Sequence, residues 1–132
     1  MAEGTFATAI NCMDGRVQLP VIEWAKTHFG VDYVDMITEP GPDKILAEGP
    51  DDLISSIKNR VEISVNKHGS KIIVMTSHDD CAGNPVDKET HLKQLRDSMR
   101  TIASWSFPAT IVGVWMNSDD WKPEIIEKLE QL

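Results

Sequence analysis

The stretch KIIVMTS at residues 71–77 decides the fold class. Its centre is continuously apolar, and a similar run, ATIVGVWM, lies at residues 109–116. Strands that are apolar on both faces are typical of parallel sheets whose two sides are covered by helices. Two further β-like runs, at Thr5–Asn11 and Tyr33–Thr38, complete a predicted set of four strands.

Helical patterns alternate with these strands, because apolar residues recur there at a spacing of three to four. Glycines suit the ends of helices, and aspartates suit their starts. We therefore predict an α/β fold: a three-layer sandwich around a mainly parallel four-stranded sheet with right-handed crossovers. The predicted helices end at Gly30, run from a cap at Asp51 to Gly69, follow a cap at Asp87, and begin near Pro123.

Length and charge limit the range of functions. The chain has 132 residues, of which 41% are hydrophobic, and a net charge of −8 at pH 7. We predict a single domain over residues 1–132. The acidic balance argues against a nucleic-acid partner, because phosphate binding needs clustered lysine and arginine. The N-terminal residues, MAEG, do not have the pattern of a leader peptide. The sequence also shows no apolar segment long enough to span a membrane, so we expect a cytoplasmic protein.

The only two cysteines each follow a predicted strand. Cys12 begins the segment CMDGR at residues 12–16, and Cys81 ends the segment HDDC at residues 78–81. In open α/β sheets the functional crevice lies at the carboxyl ends of the strands. If the first and third strands are neighbours, two thiolates, one imidazole and one carboxylate can meet there. Such a donor set is what a tetrahedral zinc centre needs.

Cys12-x-Asp14-x-Arg16 and His78-x-x-Cys81 resemble the two defining motifs of the β-class carbonic anhydrases. The resemblance implies that Cys12, His78 and Cys81 bind Zn²⁺. It also implies that Asp14 and Arg16 form the catalytic carboxylate–guanidinium dyad. The implied activity is that of a zinc lyase, or carbonate dehydratase, which hydrates CO₂ reversibly to bicarbonate by a zinc-bound hydroxide. Members of this family complete their pockets across a dimer interface, so we expect a homodimer or a larger homo-oligomer.

The chemistry of Asp14 allows two roles. Zinc held by two thiolates and an imidazole is nearly neutral and activates water less readily than zinc held by three histidines. Asp14, pinned by Arg16, would orient the water and help to deprotonate it. Alternatively, Asp14 could leave Arg16 and become the fourth zinc ligand, as in the closed form of some family members. We hypothesise a pH-dependent switch between these open and closed forms.

Three departures from the family pattern leave the function open. Ala82 follows Cys81 where the family has glycine. Glu39 replaces a basic residue near the site and would disfavour bicarbonate. No glutamine occupies the position at which the family binds its substrate. A CS₂ or COS hydrolase on the same zinc site is one alternative. A non-catalytic zinc-binding relative is another. A thiol redox protein using Cys12 and Cys81 is a third, although the chain has no Cys-x-x-Cys motif.

Several residues also have plain structural interpretations. Asp14 could be only a helix cap, Asp79 and Asp80 are expected to be solvated or to cap a turn, and His91 is expected on a helix surface. Four aromatic residues of the last third are expected either in the core or at a dimer surface: Trp105, Phe107, Trp115 and Trp121.

Overall fold

The structure, a computed structural model, describes residues 3–131. Within that range five strands and four helices follow one another along the chain. In chain order they are β1 (Phe6–Cys12), α1 (Gly15–Phe29), β2 (Tyr33–Glu39), α2 (Pro42–Glu48), α3 (Asp51–His68), β3 (Ile72–His78), α4 (Lys88–Ser104), β4 (Thr110–Met116) and β5 (Pro123–Glu130).

The sheet has the strand order β2-β1-β3-β4-β5, and β1 to β4 are parallel. The chain moves from β1 to one side to form β2 and then returns past β1 to form β3. The direction of winding therefore reverses between β1 and β3, which is where open α/β sheets place their ligands. The predicted neighbourhood of the first and third strands is confirmed, with Ala9 beside Val74.

Two apolar layers hold helices against the two faces of the sheet. One layer joins α2, α3 and α4 to alternate strand residues such as Ile10 and Ile73. The other joins α1, through Val17 and Val21, to the opposite face. The predicted α/β three-layer architecture is therefore confirmed. No helix within residues 3–131 is both long enough and apolar enough to cross a membrane.

The prediction of a last helix from Pro123, and with it of a four-stranded sheet, is wrong. That segment is β5, which pairs antiparallel with β4. Val114 pairs with Ile125 and Gly113 with Glu127, so Ile126 is the additional residue of a β-bulge. The adjacent Ile125 and Ile126, followed by Leu129, have the spacing of a helix in the sequence, and the bulge allows them to lie in a strand. The open edge of β4 supplies backbone partners, and this tertiary pairing overrides the local pattern. The predicted helix also included Leu132, which lies outside the described residues.

The predicted helix ends are confirmed at Gly30 and Gly69, which both adopt the left-handed conformation. Asp87 caps α4 as predicted, since its carboxylate accepts a hydrogen bond of 2.8 Å from the backbone N–H of Thr90. The predicted cap at Asp51 is wrong by one position, because Asp51 is the first residue of α3 and Pro50 precedes it as the cap. The short helix α2 was not predicted, because its seven residues are too few to show a periodic pattern.

Candidate metal centre

The residues of the two sequence motifs meet at the carboxyl ends of β1 and β3. Cys12 is the last residue of β1, His78 is the last residue of β3, and Cys81 lies three residues further on. Their ligand atoms all lie within 4.8 Å of one another, and all three side chains are buried. The two sulfurs are 3.8 Å apart, and both cysteines are free. This Cys–His–Cys group could bind a metal ion.

The orientation of the His78 ring supports a metal site. Its Nδ1 donates a hydrogen bond of 2.6 Å to the backbone carbonyl of Asp79. Nδ1 therefore carries a proton, and in the neutral ring Nε2 presents a lone pair. Among the described residues this buried Nε2 has no hydrogen-bond partner. Metal-bound histidines are commonly held in this way by a backbone carbonyl, and a metal would satisfy the unpaired atom. Two sulfurs and one imidazole nitrogen fit the preferences of zinc.

The two cysteines share a proton. The contact with Cys81 lowers the pKa of the Cys12 thiol to about 4. The same contact raises the pKa of the Cys81 thiol, and burial raises it further. Without a cation, the pair therefore holds one thiolate and one thiol at neutral pH. A bound divalent cation would displace the remaining proton, because thiolate is the form that coordinates metals.

Asp14 and Arg16 form the pair predicted from the sequence. The Arg16 guanidinium donates to both carboxylate oxygens of Asp14, with 2.7 Å from Nη2 to Oδ2 and 3.0 Å from Nε to Oδ1. The carboxylate also caps α1 by accepting from the backbone N–H of Arg16 at 2.9 Å. The hydrogen bonds from Arg16 lower the pKa of Asp14 to about 2. The structural and the functional interpretation of Asp14 are therefore compatible.

Asp80 and Trp121 hold Arg16 from its other side. Asp80 was expected to be solvated or to cap a turn, and Trp121 to lie in the core or at a dimer surface. Asp80 accepts hydrogen bonds from the guanidinium through its carboxylate and its carbonyl. The ring of Trp121 lies beneath the guanidinium, 4.6 Å from ring centroid to Cζ. Asp80 is at an unspecified position of His78-x-x-Cys81, and Trp121 lies outside both motifs, so neither motif identifies this role.

The displaced glycine after Cys81 has a clear steric reason. A Cβ atom on Gly83 would lie 2.7 Å from the carbonyl carbon of Pro40 and 2.8 Å from the backbone nitrogen of Gly41. The loop that carries Cys81 therefore packs directly on the loop after β2. A glycine is required at position 83, and Ala82 is tolerated because it is exposed.

Two polar side chains that the sequence analysis did not include support the backbone at Cys12. Gln18 Nε2 donates to the carbonyl of Cys12 at 2.6 Å, and Asn11 Nδ2 donates to the same carbonyl at 3.0 Å. Asn11 also donates to the side-chain oxygen of Gln18 at 3.2 Å. Gln18 therefore fixes the backbone at the end of β1 from within α1.

Asp43 is the centre of a buried polar network beside the metal centre. Its carboxylate accepts hydrogen bonds from Ser77 Oγ at 2.8 Å, His91 Nδ1 at 2.6 Å and Asn84 Nδ2 at 2.9 Å. The backbone N–H of Lys44 donates a fourth at 2.9 Å. The network thus joins α2 to the residue before His78, to the loop after Cys81 and to α4. The expectation that His91 lies on a helix surface is wrong, because it is only 1% exposed. Its place on the inner face of α4 follows from its pairing with the Asp43 carboxylate.

The negative charge of Glu39, the acidic residue expected near the site, is balanced by an arginine. The Glu39 carboxylate binds the Arg60 guanidinium of α3, so its charge is paired. The carboxylates that face Arg16 are instead those of Asp14 and Asp80. Two acids against one guanidinium leave the edge of the site with negative charge, which repels anions.

Comparison with known proteins agrees with the architecture and the site. A parallel α/β sheet with a Cys–His–Cys group at its switch point defines a carbonic-anhydrase-like protein. A family model described as "Putative carbonic anhydrase" matches residues 2–127, and the chain belongs to this family. The resemblance to carbonic anhydrases predicted from the two motifs is thereby confirmed. No curated protein matches the chain.

Three solved structures show the same fold. A variant of the β-carbonic anhydrase CafD of Aspergillus fumigatus is 14% identical with a TM-score of 0.62, and the alignment covers 96% of this chain and 91% of that one. The Coccomyxa β-carbonic anhydrase in complex with acetazolamide is 13% identical with a TM-score of 0.59, covering 98% and 75%. One of two tetrameric β-carbonic anhydrases of Sordaria macrospora is 13% identical with a TM-score of 0.56, covering 97% and 84%.

Proposed function

We propose that this protein is a zinc enzyme that hydrates CO₂ reversibly to bicarbonate. The observation that carries the proposal is the buried, unpaired Nε2 of His78 beside the sulfurs of Cys12 and Cys81. These three residues would hold Zn²⁺. When bound, zinc supplies Lewis acidity, which makes water a nucleophile at neutral pH.

Asp14 would orient the attacking water rather than store its proton. With a pKa of about 2 the carboxylate stays ionised at neutral pH and is a weak base. Oδ1 already accepts from the backbone N–H and from Nε of Arg16, whereas Oδ2, which accepts from Nη2, has a second lone pair that can accept from water. Arg16 in turn fixes the direction of that lone pair. The proton would then pass to solvent or buffer.

The cysteines set the charge of the centre. Two thiolates and a neutral imidazole compensate the charge of a divalent cation, so the bound metal would attract anions only weakly. The surplus of carboxylates around Arg16 acts in the same direction. Both features favour uncharged substrates, a class that includes CO₂, COS and CS₂.

Zinc content is the first test. Protein purified under reducing conditions without chelators should contain close to one zinc per chain by elemental analysis. His78→Ala should lower that value to near zero. His28→Ala is a matched control, because His28 is an exposed histidine of α1. A wild-type chain that neither retains nor takes up zinc would refute the proposal.

Turnover tests the reaction itself. Stopped-flow measurements should show CO₂ hydration by the zinc-loaded wild type, and loss of most of that rate in Asp14→Ala with zinc still bound. Binding of acetazolamide, the molecule bound in the Coccomyxa structure, should reduce the rate. Zinc-loaded protein that hydrolyses CS₂ or COS but leaves CO₂ unchanged would assign it to the alternative reaction. Zinc binding without any turnover would mark a non-catalytic relative.

We further propose that the protein is a homodimer or a larger homo-oligomer. The Sordaria macrospora relative is described as tetrameric. In this chain β2 and β5 form the two edges of the sheet. Large apolar side chains are exposed near β2, among them Tyr33 at 54% and Ile63 at 55%. Such a combination is typical of a surface that a partner covers. Light scattering coupled to gel filtration should give at least twice the mass of one chain. The cytoplasmic location expected from the sequence stays a prediction.

A further inference from the structure

The guanidinium of Arg16 is held from three directions. Asp14 binds its Nε and Nη2 atoms. On another side Asp80 accepts from Nη1 through its carboxylate at 3.1 Å and from Nη2 through its carbonyl at 3.0 Å. The Trp121 ring covers one face, with its centroid 4.6 Å from Cζ. The Asp14–Arg16 pair is therefore part of a larger arrangement.

The backbone at both outer residues is unusual. Asp80 has φ of 56° and Trp121 has φ of 51°, in the left-handed region that favours glycine. Among the described residues the only other non-glycine with positive φ is Ser106. Aspartate tolerates this conformation moderately well, but a bulky tryptophan does not. Strained residues of this kind persist where the surrounding structure fixes them, and they cluster at functional sites.

Both outer residues are also attached to the metal centre. Asp80 lies between His78 and Cys81, on the loop that carries two of the three metal-binding side chains. Trp121 lies in the turn between β4 and β5, where its backbone N–H binds the carbonyl of Asn117 at 2.9 Å. Its ring centroid is 5.9 Å from that of His78. The position of Arg16 is thereby tied to the same loops that position the metal-binding residues.

This arrangement has a direct consequence for Asp14. Asp14 lies only two residues after Cys12, so its carboxylate is a potential fourth ligand of a metal in the centre. Movement toward the metal would break its bonds to Arg16, and Arg16 could not follow because Asp80 and Trp121 hold it. We propose that Asp80 and Trp121 are positioning residues that hold Arg16 and, through it, keep the Asp14 carboxylate off the fourth coordination position. The inference rests on the proposed function, since it concerns the metal held by Cys12, His78 and Cys81.

The size of the effect follows from exposure. The side chain of Asp80 is 74% exposed and that of Arg16 is 46% exposed, so solvent weakens their ion pair. Exposed ion pairs and exposed cation–π contacts each contribute a modest stabilisation. Loss of one contact should therefore raise the ratio of molecules with Asp14 at the metal to molecules with Asp14 on Arg16 about threefold. Loss of both contacts should raise this ratio about tenfold.

Azide binding to Co²⁺-substituted protein at a single neutral pH tests the inference. Azide is an anion that can take a free fourth position, and its binding changes the visible absorption of Co²⁺. Asp80→Asn and Trp121→Asn keep a residue that tolerates positive φ while removing the charge or the ring. Each should weaken azide binding by up to about threefold, and the double variant by up to about tenfold, with the full factor reached when Asp14 occupies the fourth position in most molecules. Adding Asp14→Ala to the double variant should restore tight azide binding.

Controls separate positioning from charge and from folding. Asp79→Asn removes the neighbouring carboxylate, which binds Ser118 rather than Arg16. Loss of a negative charge alone should strengthen the binding of an anion, which is opposite to the effect expected for Asp80→Asn. The stoichiometry of bound Co²⁺ shows whether each variant keeps its metal-binding residues in place.

The possible results distinguish the two proposals. Equal azide affinity in the wild type and in the cobalt-loaded double variant would overturn the positioning role while leaving the metal centre intact. Failure of the cobalt-loaded wild type to bind azide would also overturn it, because the fourth position would then be blocked already. A wild type that binds no Co²⁺ or Zn²⁺ would overturn the proposed function and this inference together.

Discussion

Replacing Asp43 should cause a large loss of stability, although this residue is not part of the Cys–His–Cys group. The side chain is 2% exposed and its carboxylate accepts four hydrogen bonds. In Asp43→Asn one oxygen becomes an N–H₂ group, which faces two donors, either His91 and Ser77 or Asn84 and the backbone N–H of Lys44. Two buried donors therefore lose their acceptor. Each loss costs about 1–3 kcal/mol.

The two losses together cost about 2–6 kcal/mol. Urea denaturation of zinc-loaded protein at pH 7 measures this cost as a change in the free energy of unfolding. Asp97→Asn is the matched control, because Asp97 is a more exposed carboxylate on α4 that binds Lys93. Its removal should cost less than about 1 kcal/mol. A loss below about 1 kcal/mol for Asp43→Asn would show that the network does not stabilise the fold.

The same residue predicts a dependence on pH. Burial raises the pKa of Asp43, but the hydrogen bond and charge of His91, with the bonds from Asn84 and Ser77, lower it by more. The pKa in the folded state therefore lies below the unfolded value of about 3.9. The stabilisation is present above that unfolded value and is lost as the pH falls through the folded pKa. The stability difference between wild type and Asp43→Asn should therefore shrink below about pH 4. A difference that stays constant down to acid unfolding would contradict this assignment.

Three further changes have defined outcomes. Gly83→Ala should lower the free energy of unfolding by about 1–3 kcal/mol in urea denaturation, because the new Cβ meets the backbone of Pro40. Gly15→Ala is the control and should be neutral or slightly stabilising, because its new Cβ meets no neighbouring atom within 4 Å. Removal of zinc by a chelator should lower the melting temperature of the wild type in calorimetry, and His78→Ala should show no such shift. Asp87→Ala should cost about 1 kcal/mol through loss of the α4 cap, seen as a lower urea midpoint with an unchanged slope.

The parts of the fold that the sequence predicts well are those with local causes. The apolar runs of β1, β3 and β4 are long enough to identify strands buried on both faces. Gly30 and Gly69 end their helices because each adopts a left-handed conformation that other residues rarely adopt. The last strand was missed because its cause is not local. Ile125 and Ile126 are adjacent in the sequence, and the strand accommodates both through a bulge that exists only against β4.

The same distinction applies to the candidate site. The Cys–His–Cys group is predictable because Cys12 ends one strand and His78 ends another, and parallel topology then brings the two strand ends together. His91 could not be placed from its sequence, because its partner Asp43 lies in a helix too short to show a pattern. Nothing in the sequence around Asp43 or around His91 indicates that the fold will bury the two side chains together.

The residues that support the centre come from places that share no sequence motif. Asp80 and Trp121 are separated by the whole of α4 and β4, yet both contact one guanidinium. The contact with Trp121 depends on β5, because the turn into this antiparallel strand carries the ring to His78. The misassigned helix and the missed aromatic contact therefore have a single cause. A chain with a helix from Pro123 in place of β5 would lose the Trp121 ring that covers one face of Arg16, and on that side of the pair Arg16 would be held by the exposed Asp80 contact alone.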